Sequence, residues 1–215
     1  MQLKLRPRIP QVGGWLESDL PQEAIDNLWK YIEESKEKNL DVRSTLVGNI
    51  SNSFELVDTD NWFYENICKE LVYAYAEYFP TFYPLDLFPN SKQHDLCLNT
   101  FWVNYQYKHE FNPLHNHSGL FSFVIWLKIP TDYVEQHSLP HSKGSSSPAS
   151  SDFHFQYLDI CGSTRSYTYY MSKECEGKML FFPARLNHIV YPFFNCNEDR
   201  ISVSGNLYFD SEKLI

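Results

Sequence analysis

Two histidines one residue apart, His115 and His117, stand immediately before a nearly continuous apolar run, FSFVIWLKI at residues 121–129. In extended backbone, positions i and i+2 point to the same side, so both imidazoles can converge on one point. A transition metal takes nitrogen ligands at roughly 2.0–2.1 Å, and a strand-borne pair of imidazoles is a chelating fragment for it. Alone, an H-x-H pair has little specificity. Two residues downstream sharpen it. His188 lies in GKMLFFPARLNHIVYPF, where an apolar strand closes on Pro183 and a short turn precedes the histidine. Arg200 then opens the strand RISVSGNLYF. Taken singly, His188 reads as a hydrogen-bonded turn residue and Arg200 as a surface ion-pair partner. The order H-x-H, distal His, then Arg across successive apolar strands is much harder to obtain by chance.

The segments that must position these residues are strand-like. Residues 96–107 (LCLNTFWVNYQY) are rich in β-branched and aromatic side chains and alternate in part. Residues 121–129, closed by Pro130, suit a strand buried on both faces. Residues 153–160, 166–171, 178–182 and 201–209 follow as further short strands. Ahead of them, a short strand at residues 1–9 leads to a helix over residues 21–37. There Leu20, Ala24, Leu28 and Tyr31/Ile32 recur at helical spacing, with Ser18 or Asp19 placed to cap the start. LVGNI at residues 46–50 reads as a turn or short strand. A second helix spans residues 60–79, with Trp62, Ile67, Leu71, Tyr75 and Tyr78 on one side, and Pro80 and Pro84 end it.

Many short strands behind two helices predict an α+β chain, mostly β, with a sandwich or barrel as its body. Residues 1–90 form a helical part packed on the core rather than an independent domain, and residues 91–215 form the core. A flexible surface loop interrupts that core at about residues 131–152, where Ser, Pro and Gly dominate. The sharper reading of this loop is a lid over a substrate. His137 and His141 within it are expected to be solvated.

Composition bounds the function. At 215 residues the chain buries a sizeable core without help from disulfides or structural metals. Hydrophobic residues at 43% and aromatics at 17% exclude disorder as the default. A net charge of −9, with 18 basic residues among 27 acidic ones, disfavours nucleic acid as a partner. No apolar run approaches the ~20 residues of a membrane span, and no secretory signal is evident, so no membrane partner is expected. Five scattered cysteines without a C-x-x-C pair read as free thiols in a reducing cytoplasm.

The arrangement resembles the 2-oxoglutarate and Fe(II)-dependent oxygenase superfamily, which has a double-stranded β-helix, the cupin-like jelly roll, as its core. More narrowly it resembles H-x-H oxygenases of tailed phages and marine bacteria. The residues that carry the resemblance are Trp102, Asn104, His115, His117, the strand at 122–127, the Gly177 to Pro183 segment, His188, Arg200, Ser202 and Asn206. LVGNI resembles the helical N-terminal part of the phage members. The likeness spans about residues 46–206.

The resemblance implies a dioxygenase using Fe(II), 2-oxoglutarate and O₂, a hydroxylase of an unidentified small molecule or protein side chain, in the cytoplasm (the host's, if phage-encoded). It implies His115 and His188 as iron ligands and Arg200 as the residue that holds the far carboxylate of 2-oxoglutarate. A guanidinium is planar and grips a carboxylate through two parallel hydrogen bonds. Asn104, Tyr105 and Ser202 are candidate polar contacts to the co-substrate.

One departure matters. The superfamily usually has Asp or Glu where this chain has His117, completing two histidines and a carboxylate. A three-histidine site is the preferred reading. A carboxylate from farther along, Asp152 or Asp159, is the second. A frame shifted to His117 with Gly119 at the acidic position, as in iron halogenases, is the third. Two other functions compete with the oxygenase: a cupin-like isomerase or small-molecule dioxygenase that ignores 2-oxoglutarate, with Arg200 a bystander, and a non-catalytic jelly-roll interaction module. His115-Asn116-His117 also spells the HNH nucleases, but a contiguous tripeptide cannot reproduce their dispersed metal motif.

Overall fold

A computed structural model describes Arg6, residues 13–80 and residues 96–210. The strand expected at residues 1–9 and the helix-ending Pro84 lie outside these. Among the described residues, ten strands form two antiparallel sheets. They are β1 (Leu16–Asp19), β2 (Asn52–Glu55), β3 (Leu96–Gln106), β4 (Asn112–His115), β5 (Phe121–Lys128), β6 (Phe153–Leu158), β7 (Thr164–Tyr169), β8 (Lys178–Pro183), β9 (Asn187–Val190) and β10 (Arg200–Phe209). The larger sheet runs β1-β8-β5-β10-β3-β2 and the smaller runs β4-β9-β6-β7. This is the jelly roll expected from the sequence. β1, β2, β4 and β9, four residues each, are too short to leave a readable alternation, and the sequence reading lacks them.

β5 shows why the apolar run is continuous. Phe121, Phe123, Ile125 and Leu127 face the helical layer, whereas Val124 and Trp126 face the smaller sheet. With a period of two, a strand covered on both sides can spare no polar position. Ser122 is the exception, and its hydroxyl donates to Asn206 at 2.5 Å. β10 alternates differently. Ile201, Val203 and Leu207 enter the helical-side core, so Arg200, Ser202, Ser204 and Asn206 fall on the other face. Gly205 lets the strand pass close to its neighbours, since a Cβ there would lie 2.6 Å from Cζ of Phe123.

The helical side is built by α1 (Gln22–Lys38) and α2 (Lys69–Tyr78), the latter continuing a π-helical turn, Tyr64–Cys68. Leu28, Tyr31, Ile32, Tyr64, Val72 and Tyr75 pack on the larger sheet. The expected cap at Ser18 or Asp19 is displaced: both residues pair with β8 in β1, and Pro21 takes the N-cap position. The second helical stretch begins at Trp62, the first residue of its apolar pattern. Asp58 accepts the backbone N–H groups of Phe63 (2.8 Å) and Tyr64 (2.9 Å) and so supplies the first-turn cap. Among the described residues no helix is long and apolar enough to cross a membrane, and no disulfide forms.

The Ser-rich segment before β6 carries more structure than its composition announced. A one-turn helix, α3 (Tyr133–His137), is capped by Asp132. Gln136 exchanges hydrogen bonds with the backbone of Phe194 at 2.9 and 2.8 Å. Ser151 and Asp152 at its end have no exposed surface. His137 is not simply solvated, since its Nε2 lies 3.0 Å from the Asp152 carboxylate.

Candidate active site

Antiparallel pairing of β4 with β9 sets His115 directly opposite His188. His117 follows β4, and its backbone N–H donates to the carbonyl of Ala184 in the β8–β9 turn at 2.8 Å. The three rings are then neighbours, with centroids 4.2 Å apart for His115 and His188 and 5.0 Å for each other pair. Their ligand-capable nitrogens lie within 4.8 Å of one another.

The backbone also fixes which nitrogens are free. His115 Nδ1 lies 2.7 Å from the carbonyl of Pro113, and His188 Nδ1 lies 3.0 Å from that of Leu186. A carbonyl only accepts, so each Nδ1 carries the proton and each Nε2 keeps its lone pair. This is the outer-shell arrangement typical of metal-ligating histidines. Nε2 of His117 lies 3.2 Å from Nε2 of His188, a separation that two nitrogens bound at roughly 2.0–2.1 Å to one ion readily adopt. The donor set fits a divalent first-row metal.

Burial keeps all three rings neutral. It pushes His117 down to about 4, with the neighbouring His115 adding to the effect. Burial likewise lowers His115, and it holds His188 well below the usual histidine range. Between pH 6.5 and 4 the unfolded chain binds a proton at His117 that the folded chain refuses, so stability rises with pH across this window. The contribution is complete above pH 6.5 and is lost as pH falls toward 4. In EDTA the urea midpoint is therefore expected to be lower at pH 5 than at pH 7.5, by the equivalent of about 2 kcal/mol from His117 alone.

The three imidazoles line a cavity of about 510 Å³. Its polar wall comes from adjacent strands in register: Arg200 opposite Gln106, Ser202 opposite Asn104, and Asn206 opposite Thr100. Ser53 of β2 extends this wall and donates to Asn104 Oδ1 at 2.7 Å. Trp102, Trp126, Phe153 and Phe182 supply the apolar wall.

Arg200 is 1% exposed. Its Nη2 donates to the carbonyl (2.8 Å) and the hydroxyl (2.5 Å) of Ser151, and its Nη1 donates to Gln106 Oε1 at 3.4 Å. The guanidinium also lies over the Phe193 ring, 5.3 Å from its centroid. Burial lowers its pKa to about 10, opposed by the charge of Asp152, so it remains a cation at neutral pH. Nε has no partner. A buried guanidinium with an unused donor, lining the same cavity as three lone-pair nitrogens, fits an acid lying between them.

The structure thus gathers His115, His117, His188, Arg200, Asn104 and Ser202 around one cavity. Tyr105 is a correction. It neighbours Asn104 on β3 and must face the other way, and its ring packs against Phe54 in the helical-side core. The carboxylate alternatives also fall outside the cluster. Asp152 is turned toward His137, and Asp159 holds Arg165 at 2.8 Å in the β6–β7 turn. Gly119 belongs to neither cluster nor cavity wall; a Cβ there would meet the carbonyl of Leu207 at 2.8 Å. No residue of 127–152 lines the cavity, so the Ser-rich segment is no lid over it. The sequence reading names neither Gln106 nor Ser151. Gln106 shares its face of β3 with Asn104 and was legible from that alternation. Ser151, lost in a Ser-rich run, gave no signal.

No curated protein matches the chain. Among solved structures, a Pseudomonas putida prolyl-4-hydroxylase aligns at 13% identity over 92% of each chain, with a TM-score of 0.50. The non-heme alpha-ketoglutarate-dependent carbocyclase SnoK from nogalamycin biosynthesis aligns at 9% identity over 93% of this chain and 80% of its own, with a TM-score of 0.53. At such identities these two likenesses speak for the jelly-roll fold. Residues 100–206, which contain all three histidines and Arg200, match the family described as "Putative 2OG-Fe(II) oxygenase". This match supports the 2-oxoglutarate and Fe(II)-dependent oxygenase superfamily, and the protein is an oxidoreductase whose cofactors are Fe(II), 2-oxoglutarate and O₂.

Proposed function

We propose that the protein is a hydroxylase in which His115, His117 and His188 hold the iron and Arg200 holds the distal carboxylate of 2-oxoglutarate. The observation that carries this reading is the convergence of three neutral imidazoles, two with Nδ1 tied to carbonyls, on the cavity that Arg200 also lines. Bound Fe(II) supplies the redox chemistry by which O₂ oxidises 2-oxoglutarate and a substrate C–H bond. The protein does the rest. The imidazoles present lone pairs without proton competition at neutral pH. Three neutral ligands leave the full charge of a divalent ion uncompensated, which favours a dianionic co-substrate beside it. Asn104 and Ser202 offer further hydrogen bonds on the polar wall. Trp102, Trp126, Phe153 and Phe182 keep water from the reacting groups.

A cavity of about 510 Å³ is roomier than a five-carbon diacid needs, so a small molecule or a protein side chain has space beside the co-substrate. The motif order from Trp102 to Asn206 supports placing the chain beside the H-x-H oxygenases of tailed phages and marine bacteria.

The test is an anaerobic titration. Fe(II) plus 2-oxoglutarate is expected to give a weak visible charge-transfer band, and admission of O₂ to release CO₂ from 2-oxoglutarate. A protein that binds Fe(II) but shows neither band nor decarboxylation would return the assignment to a metalloprotein indifferent to 2-oxoglutarate.

A further inference from the structure

We infer that the Ser-rich segment before β6 is a clamp on the co-substrate anchor, and that Ser151 is a positioning residue for 2-oxoglutarate acting through Arg200. The inference rests on the proposed role of Arg200 as carboxylate anchor.

Ser151 has no exposed surface, and its backbone sits in the left-handed region at φ 75°, which side chains other than glycine rarely adopt. Such a conformation persists only where the surroundings impose it. Here every polar atom of the residue is engaged. Its N–H donates to the carbonyl of Pro192 at 2.8 Å, and its carbonyl accepts from Arg200 Nη2 at 2.8 Å. Its hydroxyl accepts from the same Nη2 at 2.5 Å and lies 3.2 Å from the Thr131 hydroxyl. The left-handed turn is what lets one residue aim both its carbonyl and its hydroxyl at one nitrogen.

The partners on either side are themselves fixed. Thr131 begins the segment and Ser151 nearly ends it, so their contact closes it at its base. Asp152, also without exposed surface, is hydrogen-bonded through its carboxylate to His137 of α3 and through its carbonyl to the N–H of Tyr191. Its negative charge favours the cationic form of Arg200. The segment therefore reaches the guanidinium from behind, away from the cavity that none of its residues lines. It engages Nη2 through two acceptors and leaves Nε without a partner, with Gln106 the cavity-wall partner of Nη1. A long side chain that otherwise samples many rotamers is held in one of them before the diacid arrives, which lowers the entropic cost of binding its distal carboxylate.

A clamp of this kind acts only on ligands long enough to reach Arg200. Pyruvate keeps the keto-acid end of 2-oxoglutarate and lacks the distal carboxylate. Binding of both acids to the Fe(II)-loaded protein is to be titrated anaerobically in the parent, Ser151→Gly and Ser151→Ala. Glycine removes the hydroxyl while tolerating the left-handed backbone, so the fold is kept; alanine tests the hydroxyl with the Cβ retained. The expected result is a dissociation constant for 2-oxoglutarate raised about tenfold in Ser151→Gly, from loss of one hydrogen bond to a charged group, with that for pyruvate changed less than twofold. Unchanged affinity for 2-oxoglutarate in both variants would overturn the clamp, as would equal weakening of the two acids, which is the signature of general loosening. A parent protein that binds neither acid would instead overturn the site reading on which the clamp depends.

Discussion

His188→Ala is expected to abolish Fe(II) uptake and to lower oxygen-dependent decarboxylation of 2-oxoglutarate by at least about 10³-fold, because the metal carries several kcal/mol of the catalysis. His188 lies opposite His115 across the β4–β9 pair and 3.2 Å from the Nε2 of His117, so it is the ring that both others meet. Its removal leaves two ligands on one short stretch of chain and opens space beside Phe153, Phe155 and Phe182, whose rings surround it. The fold survives, since the apolar cores on both sides of the larger sheet do not depend on an imidazole. Metal content after purification and the anaerobic visible spectrum check the result, with circular dichroism as the control for folding. Full metal occupancy in this variant would show that the ion sits elsewhere. His117→Asp, which restores the carboxylate usual in the superfamily, is the complementary variant and should retain iron.

Arg200→Lys is expected to raise the KM for 2-oxoglutarate by about 10²-fold or more while leaving Fe(II) binding intact. Lysine keeps the charge but not the fork. It cannot satisfy Ser151, Gln106 and a carboxylate together, and hydrogen bonds to charged groups are worth about 1.5–3 kcal/mol each. Arg200→Ala goes further, because it also removes a buried cation whose charge Asp152 stabilises and leaves the carbonyl of Ser151 without its donor. The lysine variant is therefore the cleaner measurement, read as CO₂ release against 2-oxoglutarate concentration. A KM within threefold of the parent would make Arg200 a structural cation and favour a metalloprotein that ignores the diacid.

The chemistry was the most legible part of the sequence because it rides on strands with a strict period. H-x-H, the distant His188 and Arg200 could be joined without coordinates, since each adjoined an apolar run whose burial was plain. The same period explains the error at Tyr105. Naming two consecutive residues of β3 as site residues violates the alternation that places Asn104 inside, and applying it would have exchanged Tyr105 for Gln106. What stayed hidden depends on contacts between segments far apart in sequence. Asp58 caps a helix from outside it, β4 exists because β9 pairs with it, and Ser151 matters because Arg200 lies 49 positions away in the chain yet bonds to it. A Ser- and Gly-rich composition describes how a free chain behaves; it does not report which of its hydroxyls a buried cation will recruit.

The pairing of His115 with His188 has a consequence beyond catalysis. β4 is a four-residue margin of its sheet, irregular in register between Asn112 and His115, and β9 is its strand partner in the sheet. An ion gripped by one imidazole from each rivets that margin to its neighbour, so iron loading and fraying of the sheet become two faces of one thermodynamic balance. Removal of such an ion with a chelator is then expected to loosen this margin in the same step that it empties the site, read as faster cleavage by an added protease.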